Sequence, residues 1–190
     1  MKAIKKYVHQ LFSKDSTGHD FHHMKRVAKL SKSIALQEGA NVFVAEAGGW
    51  LHDIGDVKLF ANPSEAREDM ASFLHKIKID EEIVLKIINA IKDISFRDGK
   101  IPDSLEGKII QDADRLDAIG AIGIARTFAY GGAKGQLLYD TKNSQDTSIQ
   151  HFHDKLLLLK DGMNTSFARE LAEERHAFME DFLERFYKEW

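Results

Sequence analysis

Apolar residues recur along this chain every three or four positions and show no clear alternating stretch, a period that points to α-helices throughout. Ile4, Val8, Leu11 and Phe12 mark one face of a first helix. Phe21, Met24, Val27, Ala28, Ile34 and Ala35 mark a second, stopped near Gly39, and a third runs from about Val42 to His52. Asn62-Pro63-Ser64-Glu65 supplies an N-cap, a proline at the first helical position and an acid at the third, ahead of Ala66, Met70, Phe73, Leu74 and Ile77. Asp80 caps the next helix, which carries Val84, Ile87, Ile88 and Ile91. The Ile83 to Ile94 run resembles a buried strand, but its acidic start and its length favour helix.

After a loop holding Pro102, Ser104 opens one segment with Ile109, Ile110, Ala113, Leu116, Ile119 and Ile122 on its buried side. Residues 130–146, glycine-rich at first and polar at the end, read as a long loop and a candidate flap. Two helices follow, one entered near Ser148 and one carrying Phe167, Leu171, Phe178, Phe182 and Phe186 on one side. No repeat or linker interrupts them. The expectation is a single all-α domain, a helical bundle spanning 1–190.

With 190 residues, 43% of them hydrophobic, the chain can fill one core. A net charge of -3 gives no basic footprint for duplex nucleic acid or an anionic membrane, leaving room only for a local basic pocket. The absence of cysteine excludes disulfides, thiolate nucleophiles, thiolate zinc sites and iron-sulfur clusters. The opening MKAIKKYVHQLF is basic but soon turns polar, and no segment reaches the roughly 20 apolar residues of a membrane span. A soluble, cytoplasmic protein is expected, with the aromatic last helix packing within the chain or across a homodimer.

The chemistry resides in polar residues set among apolar ones. His52-Asp53 closes an apolar stretch and is followed by Asp56 and Lys58. A hydrogen-bonded core pair or a helix end would account for a lone His-Asp. Here Gly49-Trp50-Leu51 and Ile54-Gly55 imply burial, and a buried ionised aspartate must be paired or ligated. Upstream, His19 and His23 stand four apart on one helical face, enough for a two-imidazole zinc clip, while His22 lies off that face. Downstream, Asp112, Asp114 and Asp117 crowd what reads as the start of an apolar helix, where the dipole would favour one or two anions but not readily three. Asp114 and Asp117 are a turn apart, with Arg115 available as an ion-pair partner. Imidazoles and carboxylates from three separated segments could meet only by folding, and together they describe a metal site.

The run His23-Met24-Lys25-Arg26-Val27, then Leu51-His52-Asp53-Ile54-Gly55-Asp56, then Asp112-Ala113-Asp114-Arg115-Leu116-Asp117 resembles the ordered H, HD, D signature of the HD superfamily of metal-dependent phosphohydrolases. The likeness continues through Ser148-Ile149-Gln150-His151-Phe152, Lys155-Leu156 and the closing Arg169 to Trp190 helix, and so covers almost the whole chain. It implies a metal-site core at about 19–120 completed by helices at about 147–190. It also implies a metal held by His23, His52, Asp53 and Asp114. His23 is chosen over His19 and His22 because it precedes x-x-Arg-Val, and Asp114 because Ala113-Asp114-Arg115-Leu116 matches the family's Ala-Asp-x-Leu context. Asp117, Asp112 and Arg115 then stand behind the ligands.

A nitrogen and oxygen site without sulfur suits one divalent ion, manganese foremost, with iron, cobalt, nickel, zinc or magnesium as alternatives. Such an ion would activate water toward phosphorus, with Asp56 accepting or relaying the proton and Lys58 beside it. Arg26, Lys58, His151 and Lys155 are candidate phosphate binders, the last two as a cationic pair on one helical face. Gly131-Gly132-Ala133-Lys134-Gly135 lacks the spacing and the preceding strand of a P-loop. The resemblance favours hydrolysis of a phosphoanhydride bond in nucleoside triphosphates. Alternatives are a nucleoside monophosphate phosphomonoesterase and a metal-dependent nucleotide-binding module without turnover. A purely structural bundle would bind no metal.

Overall fold

Helix α1, Lys2–Phe12, turns Ile4, Val8 and Phe12 inward. Leu11, expected on the same stripe, is largely exposed, because it precedes Phe12 by one residue and so points about 100° away from it. The chain is described here by a computed structural model that covers residues 1–13, 18–92, 94, 100–142 and 145–190. It is all-α, and no strand occurs among the described residues. By its internal contacts it divides into two compact units, Met1–Ala113 and Asp114–Trp190, and the division falls inside one continuous helix, α6.

In the first unit, α2 spans Phe21–Glu38 and α3 spans Val42–Leu51, each opened by a side-chain cap, Asp20 and Asn41. Helix α4, Pro63–Lys76, begins as its sequence dictates, with Asn62 accepting from Glu65 N–H and proline at the first turn. Helix α5, Glu81–Ile91, follows Asp80, which stands at the N-cap position without a side-chain capping bond. Ile4, Met24, Leu51, Met70, Leu74, Ile87 and Ile110 belong to one buried cluster. Ile110 comes from α6, Leu105–Asp117, so the first part of that helix is rooted in this core.

Two adjacent glycines decide how closely these helices approach. A Cβ on Gly49 of α3 would lie 2.7 Å from the Ala28 Cα and 2.8 Å from the Ser31 Oγ of α2, and one on Gly48 would run into the Ile110 side chain of α6. Hydrogen at Gly49 lets the α2 backbone seat directly against α3, and hydrogen at Gly48 leaves room for the end of the Ile110 side chain.

The chain beyond Ser104 corrects four expectations. The segment expected to continue from Ser104 to Ile122 is broken: α6 ends at Asp117, and α7, Gly120–Lys134, begins at a glycine with φ of 74°. Ile122, expected inside, is 44% exposed. The expected loop at 130–146 is helical through Lys134 and capped by Gly135, and its residues 143 and 144 lie outside the described ones. Asp112, Asp114 and Asp117 therefore occupy the second half of α6 rather than its start, where the helix dipole opposes anions and each charge needs another counterpart.

Helix α8, Ser148–Asp154, leads through two short 3-10 turns to α9, Ser166–Glu189. The inward face of α9 is set by Ala168, Ala172, Met179 and Leu183, whereas Phe178 is exposed. Phe152 and Phe182 stack with centroids 5.8 Å apart, and Tyr139 meets Phe186, Tyr187 and Trp190 edge-on. No described helix is long and apolar enough to cross a membrane.

Candidate metal centre

His23 sits in the first turn of α2, 1% exposed, its backbone N–H bound at 2.7 Å by the carboxylate of the capping Asp20. His52 is the residue after α3, where its Nδ1 lies 3.1 Å from the Gly49 carbonyl. A carbonyl oxygen only accepts, so Nδ1 carries the proton and Nε2 presents its lone pair. Asp53 follows directly. Its Oδ1 is 3.3 Å from His52 Nε2 and its Oδ2 is 3.6 Å from His23 Nε2. The two imidazoles stand edge to face with centroids 5.3 Å apart.

Asp114 is the next residue of α6 after the part rooted in the first unit. His23, His52 and Asp114 each offer one ligand atom, all within 4.8 Å of one another, and such a group could hold a metal ion. Asp53 fits the same centre. Donors bonded to a common ion at about 2.1 Å lie about 3.0 Å apart at right angles and about 3.4 Å apart at tetrahedral angles. The Asp53 contacts fall close to that spacing and are too long for good hydrogen bonds. Asp53 Oδ2 is also shut away from solvent and accepts no hydrogen bond from the described residues, a costly state for a carboxylate that nothing else compensates. The donor set of imidazole and carboxylate without sulfur is that of a divalent transition metal.

The turn after Asp53 carries Asp56 and Lys58. Asp56 N–H donates to Asp53 O at 3.1 Å, and the Asp56 carbonyl accepts from Leu59 and Phe60. Among the described residues the Asp56 carboxylate takes one hydrogen bond, at Oδ1, from Lys58 N–H at 2.7 Å. Lys58 itself is exposed. Arg26 lies three residues beyond His23 on α2 and is partly exposed. His19 precedes α2 instead of sharing its face with His23, although the two rings stay 5.8 Å apart.

The remaining expected residues belong to the second unit. Asp117, 2% exposed, is paired with Arg126 of α7 at 2.8 Å. Arg115 donates to the Gly162 carbonyl, and Arg175 of α9 donates to the Leu116 carbonyl at the end of α6. Arg126 was not foreseen.

His151 lies in α8, but Lys155 is the C-cap, at φ of -141°, so the pair does not continue one helical face. The cationic pair also needs correction. Desolvation foremost, and then the Lys155 charge, hold the His151 imidazole below its ordinary value against the opposing pull of Asp154. His151 is thus neutral near pH 7, a hydrogen-bonding group rather than a second cation.

An all-α fold that gathers imidazoles and carboxylates from separate helices defines a class of helical proteins built around a sulfur-free metal site. Within that class this chain belongs to the HD domain family, which matches residues 20–119. It is 45% identical over 195 residues to the uncharacterised protein YpgQ of Bacillus subtilis, covering 99% of this chain and 92% of that one. Its structure is similar to that of B. subtilis YpgQ in complex with ADP, with a TM-score of 0.87, 42% identity and coverage of 99% of this chain and 96% of that one. An HD-superfamily hydrolase from Bacillus thuringiensis is equally similar, with a TM-score of 0.86, 43% identity and coverage of 100% and 95%.

Proposed function

We propose that this protein is a metal-dependent phosphohydrolase that cleaves a phosphoanhydride bond of nucleoside triphosphates. The observation that carries the reading is the buried cluster of His23, His52 and Asp114, with the uncompensated Asp53 carboxylate beside the two imidazoles. Those four residues would hold one divalent ion, manganese foremost. When bound, such an ion supplies Lewis-acid polarisation of a phosphoryl oxygen and acidification of water at neutral pH.

The protein's own groups do the rest. The His52 Nδ1–H bond to Gly49 fixes the tautomer and ring orientation, so Nε2 is aimed before any ligand arrives. Asp56, with Oδ1 engaged by Lys58 N–H, keeps Oδ2 to take the proton from attacking water. Lys58 and Arg26 would neutralise phosphate charge, with Lys155 and a neutral His151 as further phosphate contacts. Nucleotide as the substrate class is supported by the ADP complex of the B. subtilis relative.

The test is a nucleotide panel run on metal-stripped protein resupplied with single divalent ions, with phosphate and pyrophosphate assayed separately. Release of pyrophosphate or phosphate from triphosphates, dependent on the ion, is the expected result. Turnover of monophosphates alone would assign a phosphomonoesterase. Metal and nucleotide binding without any product would leave a binding module.

A further inference from the structure

The turn that carries Asp56 is held by a residue with no role in the site so far. Gly55 has φ of 86°, in the left-handed region where a side chain is strained. A Cβ there would lie 2.7 Å from Arg67 Cγ and Nε and 2.9 Å from the Pro63 carbonyl, so the start of α4 is seated directly on this turn. Arg67 Nη2 donates to the Gly55 carbonyl at 2.8 Å. Gly55 and Asp56 share one peptide plane, which contains both that carbonyl and the Asp56 N–H bound to Asp53 O. Clamping the carbonyl therefore fixes the rotation of the plane from which the Asp56 side chain departs. Arg67 also belongs to a well-capped helix, with Asn62 bonded both to Glu65 N–H and to the Glu65 carboxylate, so the clamp rests on a rigid support.

We infer that Arg67 is a positioning residue, which aims the Asp56 carboxylate at the attacking water by holding the Gly55 carbonyl. This rests on the role proposed above for Asp56. Arg67 touches neither metal ligands nor substrate in this reading. Its loss should therefore lower kcat with little change in KM and none in metal content.

The experiment compares Arg67→Ala, Arg67→Lys, Asp56→Asn and the Arg67→Ala/Asp56→Asn double variant for metal content, thermal melting, kcat and KM with the triphosphate turned over best. Arg67 is exposed, so Arg67→Ala should fold. A hydrogen bond from a charged donor predicts a kcat about ten-fold lower in Arg67→Ala, with partial recovery in Arg67→Lys. The double variant should be no slower than Asp56→Asn, because a group with nothing to aim has no further effect. Multiplying losses in the double variant, or a loss confined to KM, would overturn the inference. A slow Asp56→Asn beside a fully active Arg67→Ala would overturn the role of Arg67 alone. Full activity in Asp56→Asn would instead remove the role of Asp56 and this inference with it.

Discussion

Asp53 and Asp117 are both carboxylates in largely enclosed places, and the fold treats them in opposite ways. Asp117 is 2% exposed and has a guanidinium at 2.8 Å. Asp53, with a side chain 13% exposed, lies 3.3 and 3.6 Å from two imidazole nitrogens, and one of its oxygens is buried without a hydrogen bond from the described residues. A charge that serves architecture comes with its protein counter-ion. A charge whose compensation is left unfinished by the protein is one that a bound cation would complete, at a cost to the stability of the metal-free fold.

The strongest way to break this contrast is to remove a ligand. His52→Ala and Asp53→Ala should lose the metal by elemental analysis and lower kcat by about a thousand-fold or more, since metal assistance is worth several kcal/mol. Full metal occupancy in both variants would leave Asp53 as merely an awkward core residue. Next in size is Arg126→Ala, which takes from Asp117 the guanidinium at 2.8 Å. A destabilisation of about 2 to 3 kcal/mol is expected in urea unfolding, below the full cost of breaking a buried pair because Arg126 is partly exposed.

A smaller effect of opposite sign would sharpen the comparison most. In metal-free protein, Asp53→Asn removes an uncompensated charge and should leave stability unchanged or raise it by up to about 1 kcal/mol. A loss as large as that of Arg126→Ala would show that Asp53 is already paired within the protein. The smallest effect concerns a cation that burial disfavours. His151, held below its ordinary value, binds its proton more readily when unfolded. Its contribution to stability is therefore fully present above the unfolded imidazole value of about 6.5 and is lost as pH falls from there through the folded value. An NMR titration midpoint at or above the unfolded value would refute the neutral His151.

The helical period made most of the fold legible, since the Asn62 cap and most of the inward stripes of α1 to α5 are written in local residue spacing, whereas the Asp20 and Asn41 caps were not singled out and Asp80 makes no capping bond. It failed between Asp117 and Gly120, where apolar spacing carries on although α6 ends and α7 begins anew, because periodicity registers which faces are greasy and not whether the axis continues. Separately, the three acids expected at a helix start occupy the second half of α6. The H, HD, D order could be read because each short motif stays local while only the meeting of its side chains is remote. Arg67 and Arg126 could not be read, because their bonds to Gly55 and Asp117 depend on the path of the backbone between them.

The glycine pair of α3 carries a consequence for how such sequences can drift. Every other amino acid adds a Cβ, which at Gly49 meets the Ala28 backbone and at Gly48 meets the end of the Ile110 side chain, an atom that yields far more readily than backbone. Gly49 moreover supplies the carbonyl that orients His52. A lineage can exchange apolar residues throughout the core for others of similar volume, one step at a time. At Gly49 it has no adjacent sequence to visit without first moving α2, the helix that carries His23.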